Sequence, residues 1–245
     1  MNEMLWYVIV GFVAQMIDGT LGMAYGVSAS SLLLTRGIAP AVVSATVHAA
    51  EVFTTGVSGV SHHYFGNVDR RLFWRLVKPG VPGAIVGAYV LSQIGGDRFK
   101  PFIAVYLLGM GMLIVVRVFR TVPPLSITTH LTPLGFLGAF IDAIGGGGWG
   151  PVVASTLIAR GNHARVTVGS VNAAEFFVTL AASITFILTM GLTHWPIIAG
   201  LAVGGMVAAP LGAYTCKRIP LRPFMFLVGL LVIGLSIRTL IKALI

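Results

Sequence analysis

The chain is expected to be all-α, a polytopic integral membrane protein made of two homologous repeats. Three features point there: extreme apolarity, a regular series of apolar segments, and internal repetition. Of 245 residues, 56% are hydrophobic and 9% charged, and mean hydropathy is +0.94. A soluble domain carries about 25% charged residues. A chain this apolar cannot cover its own surface with polar groups, which excludes a soluble enzyme or a solvated binding module. The net charge of +9 comes from Lys and Arg spread singly or in twos and threes between apolar segments. That is the pattern of loop charges in a membrane protein, with membrane lipid as the surrounding partner and no nucleic acid. The lone Cys216 excludes an internal disulfide and a Cys-cluster metal site. The first residues, Met-Asn-Glu-Met-Leu-Trp, lack the basic start and cleavage site of a signal peptide. The first apolar segment is therefore expected to be retained.

The apolar segments fall at 4–17, 22–35, 39–61, 76–95, 101–119, 133–144, 149–160, 164–190, 196–215 and 221–245. A helix needs about 20 residues to span the hydrocarbon core. Six segments are long enough or nearly so. The other four, 4–17, 22–35, 133–144 and 149–160, form two adjacent pairs. Glycine joins each pair, at Asp18-Gly19-Thr20-Leu21-Gly22 and at Gly145-Gly146-Gly147-Gly148. Each pair is either one long broken helix that crosses or a re-entrant hairpin that turns back. Residues 11–55 match 135–179 without a gap, with 17 identities in 45 positions. The pairs include Asp18/Asp142, Gly22/Gly146, Gly26/Gly150, Arg36/Arg160, Glu51/Glu175 and Thr55/Thr179. The repeats are read as 1–120 and 121–245, within one compact membrane domain.

Positive charge separates the two readings of the broken pairs. If each pair crosses, the repeats are parallel. Arg36, Arg98, Lys100, Arg160, Arg165, Lys217, Arg218 and Arg222 then face Arg70, Arg71, Arg75, Lys78, Arg117, Arg120, Arg238 and Lys242, with no bias. If each pair is re-entrant, the second half is inverted. One side then keeps only Arg36, Arg98, Lys100, Arg238 and Lys242, against eleven on the other. That bias favours inverted repeats, six full spans, two hairpins, and both termini outside.

Seven acids exist, and four lie in apolar segments as two repeat pairs. Ionisable groups inside a membrane are costly and seldom without a role. Asp18 and Asp142 precede the glycine breaks. There a carboxylate can accept backbone N–H groups freed by the interruption, or bind a proton or cation. Glu51 and Glu175 sit inside long spans. His48 and Asn172 lie three residues earlier on the same faces, and Thr55 and Thr179 extend those faces by a turn. Such a stripe either lines a watery path or glues helices together. The second arms of the broken pairs start at Gly22-Met23-Ala24-Tyr25-Gly26 and at Gly147-Gly148-Trp149-Gly150-Pro151, and these residues to Gly150, with Gly146, are the substrate-binding candidates. Helix N-termini there offer unpaired N–H groups to an anion, and glycine lets it approach. Tyr25 and Trp149 occupy equivalent positions and are placed to line or gate such a site. Pro151 suits a first helical turn. The alternative for the glycines is close helix packing. No Lys or Arg lies in the middle of an apolar segment, so a midplane anion would be held by amides, hydroxyls and dipoles. The chain contains no HExxH, GxSxG or Walker motif and no haem-ligand pair. No enzyme, metal or cofactor is expected.

On Gly11 through Gly26 and Gly135 through Gly150, the duplication, and the length near 250, the chain resembles the sulfite exporter TauE/SafE family, also called the 4-toluene sulfonate uptake permease family. The resemblance covers nearly the whole chain. It implies a secondary transporter of small sulfur oxyanions or organosulfur anions (sulfite, sulfonate, sulfoacetate) in the bacterial cell membrane, rocking between two access states, possible as a homo-oligomer. Family members are usually drawn with eight spans, against six spans plus two hairpins here. The competing function is a proton- or cation-linked channel or carrier that uses the buried acids. A scaffolding subunit is a third class, but it would not need two polar interruptions at the midplane.

Overall fold

A computed structural model describes residues 3–94, 100–119, 130–160, 162–216 and 221–244. The repeat boundary at 120/121 and the charges Arg98, Arg120, Lys217 and Arg218 lie outside the described residues. Helices account for nearly all of the described chain, and no strand occurs among those residues. In order they are α1 Glu3–Leu21, α2 Tyr25–Thr35, α3 Pro40–Tyr64, α4 Arg70–Gln93, α5 Lys100–Val118 and α6 Leu131–Gly145. A π-helical turn, Gly150–Ala154, leads into α7 Ser155–Ala159. Then come α8 Ala164–Met190, α9 Trp195–Thr215 and α10 Leu221–Leu244.

Two expected boundaries are corrected. The segment read as 4–17 runs on to Leu21, because Asp18, Gly19 and Thr20 stay helical. Thr20 helps by donating its hydroxyl to the Met16 and Ile17 carbonyls. At 19 residues, α1 is long and apolar enough to cross a membrane, as are α8 and α9. The segment read as 76–95 begins at Arg70, where Asp69 caps the helix by accepting from the Arg71 and Leu72 N–H groups. Hydropathy hid that start behind Arg70, Arg71, Arg75 and Lys78.

The two halves interlock. Helix α1 lies along α9 in the same direction, with Tyr7 against Gly200 and Gly19 against Gly212. Its repeat equivalent α6 lies along α4 in the same way, with Gly135 on Pro79 and Gly87 on Phe140 and Ala143. Helices α3 and α8, which correspond in the repeat, run antiparallel. Ser58 donates to Asn172 (2.7 Å), Thr55 meets Thr179 (3.4 Å), and the His48 ring lies 6.1 Å from that of Phe186. Helices α5 and α10 are antiparallel as well, with Gly111 against Ile233 and the Phe119 ring against that of Phe226. Small residues at these crossings bring backbones close, as in packed membrane helices. Large apolar side chains such as Leu188, Val207 and Phe102 face outward, which suits a lipid-facing surface.

The start of α1 and the end of α2 meet. Arg36 donates to the Tyr7 hydroxyl (2.8 Å), lies over the Trp6 ring and pairs with Glu3 at 3.7 Å. Between those ends, α1 and α2 reach inward to the level of Glu51, halfway along α3.

Candidate functional site

The site is built where the two glycine breaks touch. In the first, Gly22 (φ 69°) and Ala24 (φ 99°) turn the chain through left-handed conformations before α2 begins. Ala24 pays for a geometry normally left to glycine. In the second, Gly146 (φ 67°) and Gly147 (φ 153°) make the turn, and the amides of Gly146 and Gly147 donate back to the Asp142 carbonyl. Pro151 sits in the first turn of the following helical segment, as its missing N–H favours. The breaks press together backbone to backbone. A Cβ on Gly26 would lie 2.7 Å from the Gly147 Cα and 3.0 Å from Glu51 Oε1, and one on Gly150 would meet Gly22 and Met23 at 2.5 Å. All residues from Gly19 to Ser31 and from Gly145 to Pro151 are buried.

Each aspartate is gripped by its own break and by the opposite half. Asp142 Oδ1 accepts the N–H groups of Gly148 (2.5 Å) and Trp149 (3.0 Å), and its Oδ2 lies 3.2 Å from His48 Nε2. Asp18 sits correspondingly beside the Tyr25 N–H and the Asn172 side chain. His48 is thus partnered by Asp142, 94 residues away, rather than by Glu51 on its own face. Glu51 instead points at Gly26. Glu51 Oε2 and Glu175 Oε2 are buried without a hydrogen-bond partner among the described residues. No lysine or arginine is buried among those residues.

Helix ends leave N–H groups unpaired, but the two second arms differ in what they keep. Asp142 occupies the amides of Gly148 and Trp149, and Pro151 has none, which leaves only Gly150 there. In α2, Tyr25 faces Asp18 and the Ser28 N–H bonds the Ala24 carbonyl, which leaves Gly26 and Val27. The Tyr25 hydroxyl and the Trp149 indole N–H are committed to the Leu201 carbonyl (3.2 Å) and the Val171 carbonyl (3.1 Å). Tyr25→Phe and Trp149→Phe should therefore each lower stability by about 1 kcal/mol and shift apparent substrate affinity less than about threefold. A tenfold loss of affinity in flux measurements would mean that these donors turn to the substrate during transport.

Several residues of the site were not singled out from the sequence. Ser30 donates to the Gly146 carbonyl, Ser44 to the Ala143 carbonyl (2.6 Å), and the Tyr106 hydroxyl to the Gly147 carbonyl (2.9 Å). Their signal was a mismatch between the halves: Ser30 aligns with Ala154 and Ser44 with Val168. An apolar cavity of about 580 Å³ reaches the stripe at Thr55, between Gly59, His63, Arg70, Phe73 and Phe177.

Interlocked apolar helices around two buried, broken helix pairs fit a multi-pass α-helical membrane protein. The chain matches the family described as Sulfite exporter TauE/SafE over residues 7–239, and it belongs to that family. It is similar to the "Probable membrane transporter protein YtnM" of Bacillus subtilis (strain 168), with 42% identity over 252 residues covering 99% of this chain and 84% of that protein. No solved structure matches it.

Proposed function

We propose that the protein is a secondary transporter that moves small sulfur-containing oxyanions, such as sulfite, a sulfonate or sulfoacetate, across the bacterial cell membrane by alternating access. The observation that carries this reading is the contact of Gly26 with Gly147 beside a helix end whose Gly26 and Val27 amides are uncommitted. When the hairpins part, an anion fits there against two N–H groups and the positive end of α2. With no lysine or arginine buried among the described residues to hold it, it is bound loosely enough to leave. Export is the direction that the family's description favours.

Glu51 adds a condition. Its carboxylate borders the same spot, and two unit charges about 4 Å apart repel by about 4 kcal/mol at an effective dielectric of ~20. The anion therefore enters with Glu51 protonated, which ties proton movement to anion movement. Glu51→Gln should transport with a flattened pH profile, whereas an unchanged profile in a folded variant would leave Glu51 a structural role. Glu175 is the equivalent candidate in the other half.

The membrane arrangement proposed is two inverted repeats. The antiparallel pairs α3/α8 and α5/α10 support it, and the contact of Arg36 with Glu3 and Tyr7 supports a re-entrant first hairpin. The charge bias then puts the 65–69 turn and the start of α8 in the cytoplasm. In a Cys216→Ser background, cysteines at Arg36 and His163 should label from opposite sides of the membrane; labelling of both from one side would sink this topology.

The second reading is a proton- or cation-linked carrier. It is favoured by the unpartnered Glu51 and Glu175 oxygens and by the capture of the Gly148 and Trp149 amides by Asp142. Proteoliposome flux with sulfite, sulfoacetate, thiosulfate and sodium separates the two. Saturable movement of an anion is expected, and sodium flux without anion flux would favour the second.

A further inference from the structure

We propose that the His48–Asp142 pair is a one-proton binding site that latches the second hairpin, and that the first hairpin lacks such a latch. The site stands on hydrogen-bond geometry; only its consequence for transport rests on the function proposed above. His48 Nδ1 lies 2.8 Å from the Ser44 carbonyl oxygen, which can only accept, so Nδ1 carries a hydrogen. Asp142 Oδ1 is engaged by two backbone N–H groups. What remains is Nε2 facing Oδ2 at 3.2 Å. A bare nitrogen and a bare carboxylate oxygen would turn lone pairs on each other, so one proton lies between them. The proton sits on Nε2, as imidazolium against carboxylate, so the pair is neutral and gains or loses that proton as a unit. Its loss to water leaves one uncompensated negative charge and two opposed lone pairs, and the tie between α3 and the second break is undone. Its return restores the tie. Nothing but a proton is exchanged.

The comparison of the halves supports the asymmetry independently. His48 aligns with Asn172, whose amide cannot titrate. Ser30 and Ser44, which tie down the Gly146 and Ala143 carbonyls, align with Ala154 and Val168, and Tyr106 aligns with leucine at either register, Leu230 or Leu231. Every polar hold on the second break thus falls on an apolar or neutral residue in the other half. The ionisable groups around the pair are Glu51 from α3, Tyr106 from α5, Asp18 from α1 and Glu175 from α8, with Tyr25 from α2 beyond them beside Glu51 and Asp18. None of these becomes a cation in either protonation state, and no lysine or arginine is buried among the described residues, so no fixed cation takes the place of the departing proton.

The test reads the proton directly. In ¹⁵N-histidine NMR of the full chain in detergent, the His48 signal is assigned among the six histidines by its disappearance in His48→Asn. The wild type should give a ring with a proton shared at Nε2. Asp142→Asn should convert it to a neutral ring with a bare Nε2 accepting from the new amide. Identical His48 signatures in the two proteins would overturn the proposal. As a second readout, His48→Asn in proteoliposomes should move anion with about one proton fewer per anion than the wild type; unchanged stoichiometry would also overturn it. Failure of the wild type to move any sulfur oxyanion would instead count against the function proposed above, and the NMR comparison would still decide the latch.

Discussion

Replacing Gly147 by alanine is expected to abolish transport and to destabilise the protein by about 3–5 kcal/mol. Two costs add. Gly147 holds φ 153°, which L side chains rarely adopt, and the new Cβ would fall onto the backbone nitrogen of Val27 and the carbonyl carbon of Gly26. Backbone cannot rotate aside as a side chain can. Gly148→Ala meets a softer obstacle, because its Cβ would strike the Tyr106 hydroxyl first. The double variant Gly148→Ala/Tyr106→Phe should therefore recover much of what Gly148→Ala loses, whereas no single side-chain truncation should rescue Gly147→Ala. Thermal unfolding in detergent and flux in proteoliposomes check both. A folded, active Gly147→Ala protein would mean that the breaks do not form a tight seam.

Asp142→Ala should be nearly as damaging. It orphans the buried N–H groups of Gly148 and Trp149 and removes the partner of His48. At about 1–3 kcal/mol for each of these three groups, the loss is at least about 3 kcal/mol. Asp142→Asn keeps a carbonyl oxygen for the two amides and an NH₂ for His48, so its cost should stay within about 1 kcal/mol. Comparable melting temperatures for the Ala and Asn variants would contradict the capping role of Asp142.

That capping role was one of two readings open from the sequence, where an aspartate directly before a glycine break is a local and legible pattern. The helical segments were legible too, because apolar runs of membrane length leave few alternatives. Boundaries were missed where local chemistry outweighed hydropathy. Thr20 hydrogen-bonds back into α1 and carries the helix past Gly19, and the Asp69 cap starts α4 among arginines. The pairing of His48 with Asp142 was illegible, since spacing along α3 pointed to Glu51 while the true partner arrives from another helix. The grip of Ser30, Ser44 and Tyr106 on the second break was hidden for the same reason. The halves differ at these positions, so identity between the repeats does not mark them.

On the function proposed above, the anion crosses where the two breaks meet. A structure determined with sulfite or sulfoacetate bound tests it most directly. Gly26 and Gly147 are expected to have moved apart, with an oxyanion between them, within hydrogen-bonding distance of the Gly26 and Val27 amides and beside Glu51. An anion bound elsewhere, such as in the cavity near Arg70 and His63, with Gly26 and Gly147 still in contact, would contradict it.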